Sequence, residues 1–295
     1  MNLPFSSIDT AILLLMQPDQ DVVKRWSNSA PFWEKHREII RGMFAPVTQA
    51  LVAESQLASG HTVLDIATGP GEPALSLSAL VGPAGRVFGI DPIRGMIDGA
   101  RRAADQLELK NVQFDVAFAD HLPFAAETFD AVISRFGAMF FPAPVDAVRE
   151  MLRVLKPGRK VALAVWHFAE KNPFHQALSR VMDRHVEPPP PGPDALDTFR
   201  FATPGTLRNF LNQAGAIAVS ERLLQFTIQA PVSAEDFWTL RREMSDTLRE
   251  KILTLSKEQF TVVNDDILES LREYSTDGGM SFPAEVLILS GAKAA

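Results

Sequence analysis

Residues 63–74 read Val63-Leu64-Asp65-Ile66-Ala67-Thr68-Gly69-Pro70-Gly71-Glu72-Pro73-Ala74. A short apolar run of strand composition passes straight into a glycine turn. The next apolar run, residues 86–90, stops on Asp91. In a strand–turn–helix–strand unit the glycines let the backbone come close to a ligand. The acid that ends the second strand is then placed for a ribose diol. The pairing predicts a nucleoside pocket at the carboxyl ends of the first strands of a parallel α/β sheet.

The charges around the turn bear on which nucleoside it takes. A dinucleotide site holds a pyrophosphate on the turn and the helix N-terminus, where a carboxylate is unwelcome. Here Asp65 precedes the turn and Glu72 follows Gly71 directly. Both suit a ligand that carries cations. S-adenosylmethionine has an ammonium and a sulfonium and no phosphate, and at this point the chain resembles the class I S-adenosylmethionine-dependent methyltransferases. Within them it is similar to the ubiquinone/menaquinone biosynthesis branch.

Further motifs carry the resemblance. Gly89-Ile90-Asp91-Pro92-Ile93-Arg94-Gly95-Met96 resembles the second-strand motif, whose acid binds the ribose hydroxyls and whose methionine flanks the adenine. Ala119-Asp120-His121-Leu122-Pro123-Phe124 resembles the third, with its aspartate at the adenine amino group. Phe129-Asp130-Ala131-Val132-Ile133-Ser134 resembles the fourth strand, and Leu152-Arg153-Val154-Leu155-Lys156-Pro157-Gly158 the turn into the fifth. They come in family order over roughly residues 60–166. The resemblance implies cofactor contacts from Asp65, Ala67, Gly69, Pro70, Gly71, Asp91, Pro92, Met96, Ala119, Asp120, His121 and Ser134. It also implies an acceptor site just after the fourth strand, with Trp33, His36, Arg135, Phe136 and Met139 as candidates to line it.

The 295 residues fit one large domain or one domain with an insertion. An apolar share of 46% and a charged share of 22% are those of a globular enzyme with a substantial core. A net charge of −7 argues against a nucleic-acid partner, which needs a basic face. The sequence has no cysteine, so disulfides, thiolate metal sites and thiol nucleophiles are excluded, and no metal site is expected. Residues 11–16 are apolar but too short and too poorly flanked for a secretory signal, and no run has the length of a membrane span. A cytoplasmic protein is the expectation, with a homodimer left open.

Residues 20–58 read as two or three helices, with Trp33, His36, Ile40 and Met43 on one face. Residues 60–166 alternate strand and helix, with strands near 62–66, 86–90, 112–117, 129–134 and 160–166 and helices near 72–81, 93–107 and 144–155. A helix near 173–184 precedes a stiff proline loop at 188–193, and another ends near Gly215. Residues 217–227 and 285–291 read as a sixth and a seventh strand, separated by an amphipathic helical stretch at about 234–273.

The fold expected is α/β: a doubly wound, seven-stranded, mostly parallel, Rossmann-like methyltransferase sheet whose last strand is antiparallel. It carries an N-terminal helical cap (1–58) and a helical insertion (234–273, a lid or an interface) in a cofactor-binding domain of residues 59–233 and 274–295. The expected activity is in-line methyl transfer from S-adenosylmethionine to oxygen, carbon or nitrogen of a small, largely apolar or aromatic metabolite. Trp33, Phe136, Phe140, Phe141, Trp166 and Phe168 are the aromatics on the acceptor side. An NAD(P)-dependent oxidoreductase and a non-catalytic S-adenosylmethionine-binding protein remain the alternatives. Of His36, His167 and His175, none has a spacing that marks a general base, and Arg135 is either an anion-orienting group or a partner of Glu72 or Asp65.

Overall fold

The computed structural model describes residues 20–187 and 197–295. The apolar run at 11–16, the start of the expected N-terminal cap and the prolines of 188–193 lie outside the described residues. At the N-terminal side are three helices, α1 (Gln20–Lys35), α2 (Arg37–Met43) and α3 (Ala45–Glu54). The alternating region follows as β1 (Thr62–Ile66), α4 (Ala74–Val81), β2 (Arg86–Asp91), α5 (Arg94–Gln106), β3 (Val112–Val116), β4 (Phe129–Arg135), α6 (Pro144–Val154) and β5 (Leu155–Trp166). Then come α7 (Pro173–His185), α8 (Thr206–Gln213), β6 (Ile217–Ala230), α9 (Ala234–Met244), α10 (Asp246–Leu253), α11 (Lys257–Leu271), β7 (Ser275–Thr276) and β8 (Gly279–Ala292).

The strands form one sheet in the order β3-β2-β1-β4-β5-β8-β6. β1 to β5 are parallel, and β8 runs antiparallel between β5 and β6. This is the doubly wound sheet the alternation predicts, with β7 added as a two-residue strand hairpinned onto β8. The order reverses between β1 and β4, so a crevice opens at the carboxyl ends of those two strands. β4 is buried at every position, the pattern of a central parallel strand covered on both faces. β6 is the sheet edge, and Glu221, Arg222, Gln225 and Gln229 keep it polar.

The structure shifts several element boundaries. β5 begins at Leu155, because Leu155 pairs with Phe129 before a register break and Gly158 N–H donates to the Lys293 carbonyl at 3.1 Å. Pro157-Gly158 reads locally as a turn, and only the C-terminal segment makes it a strand. β8 is twice the expected length. Pro283 suggests a break, yet it pairs with Thr227 beyond the last β5 partner, Val286, where a missing N–H costs no central ladder bond. The stretch 234–273 is three helices. Ser233, Ser245 and Ser256 each cap one by accepting a backbone N–H, and Ser256 with Gln259 completes a capping box.

The insertion packs on α1 and α7. Trp33 Nε1 donates to the Met244 carbonyl at 3.3 Å, Arg249 donates to Ser29 Oγ at 3.0 Å, and Lys35 and His36 both bind Glu243, at 2.8 and 2.6 Å. Where β5 leaves the sheet, the buried Asn172 closes a knot. Its Nδ2 donates to the carbonyls of His167, Phe168 and Glu285, and its Oδ1 accepts from Glu285 N–H at 3.0 Å. Asn172→Ala leaves the His167 carbonyl and the Glu285 N–H unpartnered, while the Phe168 and Glu285 carbonyls keep the Lys171 and His167 amides. It should lower unfolding stability by about 2–3 kcal/mol in urea titrations, without altering far-ultraviolet dichroism.

Candidate functional site

A cavity of about 320 Å³ lies over the carboxyl ends of β1, β2, β3 and β4. Its floor is the β1 turn, where Ile66, Ala67, Thr68, Gly69 and Pro70 line it. Gly71 turns the chain into α4 at φ +109°, a backbone that side chains rarely adopt, and a Cβ there would also crowd Leu75 Cδ1 at 2.7 Å. Two non-glycine residues, Ala67 and Phe136, hold left-handed φ values of 59° and 63° at the tips of the adjacent strands β1 and β4. Each costs on the order of 1–2 kcal/mol. A Cβ on Gly137 would sit 2.5 Å from that of Ala67, so the two strained tips are pressed together at the cavity floor.

Asp91, at the end of β2, joins the β1 turn to the start of α5. Its Oδ2 accepts from Gly69 N–H and its Oδ1 from Ile93 N–H, both at 3.0 Å, and it lines the cavity. Burial raises its pKa to about 6, against the two amides that favour the charged form. Asp65 lies one layer down. Its Oδ2 accepts from Thr68 Oγ1 at 2.7 Å and Ala74 N–H at 3.1 Å, while its buried Oδ1 has no partner. Burial raises its pKa to about 7, opposed by Thr68 and the Arg135 guanidinium.

Arg135 is buried at the end of β4. It donates to Thr48 Oγ1 at 2.8 Å and to the Glu72 carbonyl at 3.2 Å, and its charge is balanced at longer range by Glu72 and Asp65. Of the two readings of Arg135, the geometry favours the internal one, because its donors are committed to the protein. Glu72 lines the cavity and accepts from Ser76 Oγ at 2.6 Å, and burial raises its pKa. Asp120 is half-buried at the cavity after β3, with its pKa also raised by burial.

The cavity thus gathers Ala67, Gly69, Pro70, Asp91, Pro92, Met96, Ala119 and Asp120 from the expected cofactor set, and Trp33, Arg135 and Phe136 from the expected acceptor set. Asp65, Gly71 and Ser134 stand behind its wall. Ser134 is buried with its hydroxyl on the Ile66 carbonyl at 2.8 Å, tying β4 to β1. His121 is exposed, Met139 is core, and His36 is drawn away to Glu243. His167 binds Glu285 at 2.8 Å, and His175 is buried beyond Trp166, so among the described residues no histidine lines the cavity. Trp166 and Phe168 do not line it either. Trp166 stacks behind Phe136 with the rings 4.4 Å apart and nearly parallel.

The sequence reading names Trp33 and Ile40 in the helical cap but misses the other side chains of the roof. Val22, Val23 and Trp26 of α1 reach the cavity, as do Arg37 and Ile40 of α2 and Phe44. Trp26 packs edge-on to Phe140 at 5.2 Å, and α1 is seated on α5 by Ala30 against Ile93 and Met96 and by a bidentate Glu34–Arg102 pair. Helical spacing of 37, 40 and 44 was the available signal for the α2 face.

The raised pKa of Asp65 has a consequence for stability. The unfolded carboxyl titrates near 3.9 and the folded one near 7, so between those values the folded state holds the extra proton. Stability from this group is greatest at low pH and is lost as pH rises through the folded pKa. Asp65→Asn removes that titration. Its stability relative to the parent should climb by roughly 1 kcal/mol per pH unit between about pH 4 and pH 7 and then level off, in urea melts across that range. A flat difference would show that Asp65 is charged throughout.

Comparison with known proteins places this geometry. Residues 63–158 match the family described as a methyltransferase domain. The ubiquinone/menaquinone biosynthesis C-methyltransferase UbiE of Pseudomonas fluorescens is 39% identical over 132 residues, 44% of this chain and 50% of that protein. The chain therefore spans about half the length of the curated relatives it matches. Among solved structures, the YcgJ protein of Bacillus subtilis superposes with a TM-score of 0.54 at 20% identity, over 84% of this chain and 99% of that one. The [4+2]-cyclase SpnF does so at 0.52 and 16% identity, over 91% and 97%. These structural likenesses show a shared fold. Residues 63–158 thus match a methyltransferase domain, and over 132 residues the chain is similar to the UbiE C-methyltransferases.

Proposed function

We propose that the protein is an S-adenosylmethionine-dependent methyltransferase that acts on a small, largely apolar or aromatic acceptor. The observation that carries this reading is Asp91, a cavity-facing carboxylate held by the Gly69 and Ile93 amides at the tip of β2. In that position it accepts from a ribose diol. Glu72 and the unpartnered Oδ1 of Asp65 supply negative potential where a sulfonium and an ammonium would lie. Gly69 has open space where a Cβ would stand, which lets a ligand approach the turn. Asp120, Ile93 and Met96 are the proposed adenine contacts, and α1 to α3 the proposed cap over the pocket.

S-adenosylmethionine supplies an activated methyl carbon, so the protein has to align the acceptor and exclude water. The aromatic wall of Trp26, Trp33, Phe44, Phe136 and Phe140 does the second. Where the acceptor loses a proton, Glu72 is a cavity carboxylate whose raised pKa lets it take that proton. The helices of 234–273 are proposed as the brace that holds α1 in place, through Glu243 and the Met244 carbonyl.

Calorimetry tests the cofactor reading directly. S-adenosylmethionine should bind, and Asp91→Ala should weaken it by about 1–3 kcal/mol through a lost charged hydrogen bond. Binding of NAD with no response to S-adenosylmethionine would replace this reading by the oxidoreductase. Activity is read by S-adenosylhomocysteine release across a panel of phenolic and quinol acceptors. Cofactor binding with no turnover on any acceptor would leave a non-catalytic binding protein.

A further inference from the structure

Arg37 is the cavity-lining cation that the reaction scheme above leaves without a task. It opens α2, and with Ile40 and Phe44 it faces the cavity. Its side chain is only 13% exposed, whereas that of its ion-pair partner Glu38 is 59% exposed. Among the described residues its one hydrogen bond is a 3.4 Å contact from Nε to that carboxylate. Glu34 lies within its field, but both oxygens of Glu34 are held by Arg102 at 2.8 and 2.6 Å. The terminal fork of the guanidinium therefore has no hydrogen-bond acceptor among the described residues. That fork is open to the cavity, and its planar pair of donors matches a carboxylate.

Its position says which part of the cavity it serves. Phe44, on the same face, packs edge-on to Phe136 at 5.2 Å and lies 5.8 Å from the Arg135 guanidinium. Phe136 and Arg135 belong to the tip of β4, whereas Asp91 ends β2 and Asp120 follows β3. In the order β3-β2-β1-β4 those acids lie on the other side of β1. Arg37 thus stands at the acceptor end of the cavity, beside the aromatic wall. We propose that the acceptor is an aromatic carboxylate, and that Arg37 selects it by a forked contact to the carboxylate while the rings of Phe44 and Phe136 hold the aromatic frame. This assignment rests on the methyltransferase reading for which end of the cavity takes the acceptor.

The test uses the full chain and two probes of equal shape, 4-hydroxycinnamate and its carboxamide, titrated calorimetrically with and without saturating S-adenosylhomocysteine. The acid should bind at least about tenfold more tightly than the amide, a charged against a neutral hydrogen-bonding partner. Arg37→Gln should erase that preference and leave the affinity for S-adenosylhomocysteine unchanged. Arg37→Lys keeps the charge without the fork, so it should retain only part of the preference, and it guards against a folding defect in the glutamine variant. The proposal is overturned by equal binding of acid and amide, by no measurable binding of the acid, or by an Arg37→Gln protein that loses both probes alike. Failure of the parent protein to bind S-adenosylhomocysteine would sink the cofactor reading instead, and the acid–amide comparison without it would still decide the role of Arg37.

Discussion

The Asp91 carboxylate, shared between the Gly69 and Ile93 amides, is the contact on which the rest of the site depends. Two parallel strands end side by side, and each leaves backbone N–H groups pointing at the same space. A single carboxylate between them satisfies one donor from each and holds the β1 turn in register with the start of α5. Without it those amides would lose their partner, at a turn that already carries the left-handed Ala67. The same carboxylate still faces the cavity, so one group both builds the floor and presents charge to a ligand.

Around that contact the protein holds more buried acid than a stability optimum would choose. Asp65, Glu72, Asp91 and Asp120 all have pKa values pushed upward by burial. Arg135 offsets part of this from inside the wall, close enough to temper Asp65 and Glu72 but with its own donors spent on Thr48 and the Glu72 carbonyl. The remaining negative potential is directed at the turn, where a cationic ligand would be stabilised and a pyrophosphate repelled. Strain and desolvation meet at the carboxyl end of a sheet whose central strands, β1 and β4, are densely packed and apolar.

The roof follows a different logic. α1 is amphipathic, and its apolar side is divided between the cavity, α5 and the insertion. Its position is decided by polar latches from distant parts of the chain: Arg102 on Glu34, Glu243 on Lys35 and His36, and the Met244 carbonyl on Trp33. Helices late in the sequence therefore set the shape of a pocket whose floor was laid down by residues 63–137.

The sequence by itself determined the sheet, the glycine turn after β1 and the identity of the cavity floor. Strand–helix alternation, a glycine turn and acids at strand ends are local patterns, and each reports a local backbone requirement. It also showed which aromatics lie near β4. What it could not carry was the left-handed backbone of Ala67 and Phe136, because neither residue type signals that conformation. Nor could it separate His36 and Met139, which point elsewhere, from Trp33 and Phe136, which line the cavity. Pro157-Gly158 reads as a turn because its partner at Lys293 lies far along the chain. The placement of Arg37 depends on all of these at once. Only tertiary structure decided it, since whether a buried cation is paired depends on side chains brought together from α1, α2 and α5, not on the residues beside it in sequence.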